Sequence, residues 1–280
     1  MSPENPLIDI REVAPLASPV NGWDRRTDFR IAISGKDGSS SMAYRAILPP
    51  GASRMRHRNH RCEEILVYLE GEGVAGEGGG FARIRAGHCQ FIPKGVEHFF
   101  RNTSQTLSTT VIGFYLGAPD LAATGFEALG PVSEKDLRMP EKPFEKGLLV
   151  HLDDVKPAAM KAGEGWLISD FRIPIGRHNG ASSTLFWPRF LPGAIHKKHR
   201  HRQCEEIYYV VSGEGIAGAG RDRVRVHGGH FHFVPAGVEH FLYNASKSEP
   251  IAGVGVYIGA GSVEETGYVY EGEVTEDDLV

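Results

Sequence analysis

The 280-residue sequence predicts an all-β protein of two tandem, equivalent domains, each a barrel or sandwich. Three observations lead there. The first is an internal repeat: His57 and His199, Glu64 and Glu206, Gly87 and Gly229, His98 and His240, and Asn102 and Asn244 all stand 142 positions apart. The same register relates Asp28-Phe29-Arg30-Ile31 to Asp170-Phe171-Arg172-Ile173, and Tyr115-Leu116-Gly117-Ala118 to Tyr257-Ile258-Gly259-Ala260. A repeat on this scale decides architecture before any local pattern does. It divides the chain into residues 1–140 and 141–280, each long enough to bury a core of its own. The second observation is a content of 35 Gly and 17 Pro, which favours a turn-rich β design. The third is a series of apolar runs of four to eight residues closed by Gly and Pro, a spacing foreign to βαβ units.

In chain order, residues 28–33 and 41–48 read as strands ended by Pro49-Pro50-Gly51, and a strand pair brackets His57. Residues 65–69 run into the turn Glu70-Gly71-Glu72-Gly73. The Gly-rich stretch 76–80 reads as a hairpin tip, because it lacks the strand–turn–helix setting of a phosphate loop. Residues 82–85, 90–93 and 110–116 complete the first half. The second repeats the order at 170–175, 183–191, 206–211, 223–226, 231–234 and 251–258. Short helices are expected at 119–128, 133–138, 263–266 and 275–279, and the Pro-rich, charged stretch 130–147 as the interdomain connection.

Composition narrows the function classes. A net charge of −4 offers no basic field for nucleic acid or an anionic membrane. No run approaches the roughly 18 apolar residues of a membrane span. Three cysteines, an odd number, and an N-terminus without a basic and then an apolar region suggest a reduced, cytoplasmic setting. The partner expected is a small-molecule substrate.

The chemistry concentrates in the second half. His199 and His201 are two apart, so on a strand both side chains share a face. Four residues then precede Glu206, room for a turn that returns the next strand's carboxylate to the same interior. Pro235 and Gly237 build a tight turn that swings His240 inward. Three imidazoles and a carboxylate suit Fe, Mn, Ni, Cu or Zn. Four protein ligands on an ion that prefers about six leave about two open positions, the mark of a reactive rather than a structural site.

The pattern Gly193-x5-His199-x-His201-x4-Glu206-x6-Gly213, followed by Gly229-x5-Pro235-x-Gly237-x2-His240-x3-Asn244, resembles the paired signature of the cupin superfamily. The first half matches it at Gly51, His57, Glu64, Gly71, Gly87, Pro93, Gly95, His98 and Asn102, so the chain resembles a bicupin. The resemblance implies two double-stranded β-helix (jelly-roll) barrels with metal inside. It implies His199, His201, Glu206 and His240 as ligands of one divalent transition metal, Fe(II) favoured, with Mn, Ni, Zn or Cu as alternatives. In the first half Asn59 replaces the second histidine. His60 is next door, but a one-residue shift faces it the other way unless a bulge re-aims it. His57, Glu64 and His98, with or without the Asn59 amide, are expected to hold a second metal more weakly, and Asn59→His to raise its occupancy.

This ligand set is similar to those of non-haem iron dioxygenases, manganese decarboxylases and sugar isomerases. The resemblance therefore implies an iron-dependent dioxygenase acting on a small oxygenated molecule such as a phenol, enediol or dicarbonyl. Alternatives are a redox-neutral decarboxylase, isomerase or hydrolase, and a small-molecule-binding bicupin without turnover. It also implies a homo-oligomer.

Tyr208, two past Glu206, should face the same interior and either hydrogen-bond substrate or pack in the core. His230 and His232 share a face just before the motif turn, so one of them, His232 foremost, is the candidate to line the cavity as an acid–base group; His196 and His227 read as surface or packing. The basic run Arg54, Arg56, Arg58 and Arg61, with its counterpart Lys197, Lys198, Arg200 and Arg202, suggests attraction of an anionic substrate, but Arg56, Arg58 and Arg200 alternate with the ligand positions, so the run reads as a solvated or interface face. Arg172, Arg189 and Arg223 are candidates to meet an anionic substrate. Cys62 and Cys204 read as small core residues, and Asn102 and Asn244 as turn-fixing side chains.

Overall fold

A computed structural model describes residues 6–17, 21–159 and 162–279. Strands dominate, and among the described residues helix occurs only as three-residue 3₁₀ turns. The four helices expected from the sequence shrink accordingly to turns at Ala122–Thr124, Asp136–Arg138, Glu264–Thr266 and Glu276–Asp278. Gly125 and Gly267, both left-handed at φ 66°, end two of these turns. The chain then enters strands Phe126–Gly130 and Tyr268–Gly272, which pair with the strands that carry His57 and His199. Tertiary pairing overrides the weak helical pattern here.

The first barrel comprises residues 13–36 and 40–154. One sheet runs Leu148–His151, His88–Ile92, Glu63–Glu70, Thr109–Leu116, Met42–Leu48 and Asp28–Ile33; the other runs Phe126–Gly130, Ser53–Asn59, His98–Arg101, Glu72–Glu77 and Gly80–Arg85. All eight residues of Thr109–Leu116 are buried, which is why that strand reads as continuously apolar rather than alternating. Each large apolar side chain sealed here contributes roughly 1.5–3 kcal/mol. The expected hairpin tip is present, with Glu77 opposite Gly80.

The second barrel comprises residues 6–12, Asp37–Ser39 and 155–279. Its sheets repeat the plan, with Glu205–Ser212 between His230–Val234 and Ile251–Ile258, and Ile195–His201 beside His240–Tyr243. The division thus departs from equal halves at 140/141. Strand Leu148–His151 completes the first barrel by pairing with His88–Ile92, and Lys142 bridges to Phe81, so 141–154 belong there. Leu7–Asp9, the repeat equivalent of Leu149–His151, pairs with His230–Val234 and belongs to the second barrel. Each exchanged strand covers a sheet edge that would otherwise expose unpaired backbone groups.

Candidate metal centre

In the second barrel, Ile195–His201 pairs with His240–Tyr243 so that His199 lies opposite His240. Glu206 comes from the other sheet, opposite Val234 and Tyr257. His199, His201, Glu206 and His240 are all buried, and their ligand atoms lie within 4.8 Å of one another. Glu206 Oε2 is 3.1 Å from His240 Nε2 and 3.2 Å from His201 Nε2. The expected turn delivers His240: Gly237, left-handed at φ 80°, donates its N–H to the His201 carbonyl at 2.7 Å. The four predicted ligands are brought together.

Their electrostatics favour a cation. His199 Nδ1 donates to Lys197 O at 2.7 Å and His240 Nδ1 to Val238 O at 2.9 Å, which turns the Nε2 lone pairs towards the centre. Burial holds His199 well below the ordinary imidazole pKa, and lowers His201 as well although Glu206 opposes it. Burial works to raise the Glu206 carboxyl, but the His201 and His240 rings set against it outweigh that and keep the group ionised. His199 Nε2 and His201 Nε2 are buried without a well-formed hydrogen bond. Buried nitrogens seldom stay unpartnered; neutral imidazoles with free lone pairs around a carboxylate are the donor set a divalent transition metal would satisfy.

Beside the cluster lies a cavity with about 40 Å³ of water-accessible space, lined by His199, Glu206 and His240 and by apolar side chains including Phe186, Phe190 and Phe241. Tyr208 lines it too. His232 does not; it stands behind Tyr208, its Nδ1 2.7 Å from the hydroxyl. Burial lowers His232 to about 4 and raises Tyr208 well above its usual range, so the phenol donates to a neutral imidazole. Neither arginine nor lysine lines the cavity: Arg172 pairs with Asp170, Arg223 with Asp278, and Arg189 is exposed.

His196, expected at the surface or in packing, is buried, lines the cavity and stacks on His199 with ring centroids 3.6 Å apart. The reason is a bulge. His196 lies opposite Leu242 and His199 opposite His240, three steps on one strand against two on the other, so alternation breaks and both rings face inward. The first barrel repeats this with Arg54 opposite Phe100 and His57 opposite His98. Arg54 is therefore not part of a solvated face; it is 1% exposed. Arg56, Arg58 and Arg200 do face away, paired with Glu97, Glu127 and Glu271.

His57, Glu64 and His98 also converge within 4.8 Å. Here Glu64 Oε1 accepts hydrogen bonds from Tyr44 Oη and Arg54 Nη1, each at 2.5 Å. Its Oε2 accepts from Asn59 Nδ2 at 3.1 Å and lies 3.1 Å from His98 Nε2. Burial pushes the Glu64 carboxyl up, but Arg54, His98 and Tyr44 prevail and hold it at about 2. His60 points outward to Glu127. Asn102 and Asn244 tie down turns through backbone contacts, and burial raises the thiols of Cys62 (to about 12), Cys89 and Cys204, leaving them unreactive. A third grouping, Asp9, His227 and His230, is already gripped by Arg11, which bonds the Asp9 carboxylate at 2.6 Å.

The family model described as a cupin domain matches residues 44–113 and 187–257, one match in each barrel. A search of curated protein sequences finds no match. Among solved structures, a mutant of Bacillus subtilis oxalate decarboxylase is similar with a TM-score of 0.72 at 13% identity, over 94% of this chain and 78% of that one. The oxalate decarboxylase of Lactobacillus farciminis in its formate complex gives 0.68 at 14%, over 94% and 88%. Protein Ylba from E. coli gives 0.69 at 16%, over 92% and 91%. At these identities the likeness establishes the fold. Among the described residues no helix is long and apolar enough to cross a membrane.

Proposed function

Since the chain belongs to the cupin family, as a family model matching half its length establishes, we propose that it is a metal-dependent enzyme whose working centre is the second barrel. The observation that carries this reading is the buried cluster of His199, His201, Glu206 and His240 opening onto a cavity. A divalent metal held by these four residues would supply Lewis acidity to substrate oxygens and stabilise negative charge developing on them. The chain's own residues do the rest. Backbone carbonyls fix the His199 and His240 tautomers. The phenylalanine lining excludes bulk water and strengthens every charge interaction inside. The Tyr208 hydroxyl, donated to the neutral His232 Nδ1, is held with its oxygen turned to accept a hydrogen bond from substrate.

The lining also selects substrate. A dicarboxylate would leave a second negative charge in an apolar cavity without a cationic side chain, at a cost of several kcal/mol. This favours a small neutral enediol, dicarbonyl or phenol over an oxalate-like dianion, and with it an iron-dependent dioxygenase as the first reading. The likeness to oxalate decarboxylases, the Bacillus subtilis one described with Mn(II) centres, supports a redox-neutral manganese enzyme as the second. The test strips metal with a chelator and reloads with Fe(II) or Mn(II), while an oxygen electrode follows turnover of small dicarbonyls, enediols and oxalate. Oxygen uptake with Fe(II) alone supports the dioxygenase; oxalate cleavage with Mn(II) and no oxygen use selects the alternative. No turnover of any compound by either loaded form defeats the enzyme reading.

A further inference from the structure

We infer that the first barrel takes no metal, because the guanidinium of Arg54 is its built-in cation. The side chains of Arg54 and Glu64 are each 1% exposed and meet at 2.5 Å. Nη2 of Arg54 donates to Tyr115 Oη at 2.7 Å, and the guanidinium carbon lies 4.6 Å from the centroid of Trp23. This cation is held on three sides. The carboxylate is nearly as occupied: Tyr44, Arg54 and Asn59 donate into three of its roughly four lone-pair directions, and the His98 ring stands against the remaining one, its Nε2 3.1 Å from Oε2. A divalent ion binding Glu64 would have to displace these contacts and settle beside a fixed positive charge in a buried, low-dielectric site.

Repeat comparison shows the changes as a set. Arg54, Tyr44 and Asn59 stand where the second barrel has His196, Phe186 and His201. Each substitution works in the same direction: one supplies the charge, one adds a donor to the carboxylate, one removes an imidazole ligand. Two acceptors are left buried without partners, His57 Nε2 and Asn59 Oδ1. His57 Nδ1 is spent on Met55 O at 2.7 Å. Two uncharged acceptors suit the two O–H groups of one water. The inward bulge at Arg54 also explains why Asn59→His alone should not create a site, contrary to the expectation from sequence.

The full-length chain tests this. With the second barrel disabled as His199→Ala/His201→Ala, the protein is loaded with Mn(II) or Zn(II), desalted and measured by elemental analysis. The expected metal content is near zero, and adding Asn59→His leaves it there. Adding Tyr44→Phe and Arg54→His to Asn59→His raises it to about one equivalent, and Co(II) substitution then gives a ligand-field spectrum. One equivalent bound while Arg54 is intact, lost on His98→Ala, overturns the inference. So does a triple replacement that folds by circular dichroism yet binds nothing. If the triple replacement does not fold, the Arg54-intact measurement decides alone.

Discussion

In the second barrel Glu206 is approached by His201 and His240, and the space beside it is a cavity. In the first, Glu64 is approached by Arg54, Tyr44, Asn59 and His98, and the equivalent region is filled by the arginine and its aromatic neighbours. Backbone, bulge and turn are shared, down to the left-handed glycines Gly95 and Gly237, whose N–H groups bond Asn59 and His201 carbonyls. The difference teaches that one barrel can satisfy a buried carboxylate in two ways. A carboxylate with free imidazole lone pairs around it is poised for an exchangeable ion, whereas one saturated by a guanidinium is a fixed internal ion pair.

The largest effect expected separates the two sites outright. His201→Ala should lower metal affinity of the second barrel by more than about 100-fold and abolish turnover, while circular dichroism of the metal-free protein stays unchanged. Full metal content and rate in that variant would break the comparison at its root. Next is Arg54→Met. Removing one partner of a buried ion pair leaves Glu64 uncompensated, at about 3–5 kcal/mol in urea unfolding. The equivalent change in the other barrel, His196→Met, loses ring stacking worth only about 0.5–1.5 kcal/mol. Equal losses would mean that the two positions play the same role.

A third contrast lies in Glu77, whose repeat equivalent is Ala219. Burial raises its carboxyl from 4.5 to about 8, a hydrogen bond from Gln90 only partly opposing. The folded chain therefore keeps a proton that the unfolded chain releases, and stability drains away as pH rises from about 4.5 to about 8. Glu77→Gln should flatten that arm, by on the order of 4 kcal/mol at pH 8, read as melting temperature against pH. An unchanged profile would show Glu77 ionised throughout. The smallest effect concerns Tyr208, equivalent to Leu66. Tyr208→Phe should cut turnover about 10–100-fold with metal content intact; a loss of metal instead would assign the hydroxyl to the structure of the site.

Much of this was legible from residues alone. The 142-residue register identified both barrels, the ligand positions and the Asn59 departure, because turn glycines and ligand spacings are local and recur. Arg54 and His196 were not legible. Alternation assigns them to the outer face, and only the pairing of three residues against two on the neighbouring strand turns them in. Nor could His232 be placed behind Tyr208, since that depends on which side chains fill the interior between two sheets.

The sequence by itself determined the duplicated β architecture and the set of imidazoles and carboxylates able to meet a cation, since both follow from short-range periodicity and turn chemistry. Tertiary structure decided which barrel has room for that cation. It also decided where each barrel ends, through the exchange of Leu7–Asp9 and Leu148–His151. Those outcomes rest on cross-strand register and on which side chain occupies a shared interior, quantities that exist only once distant segments have packed.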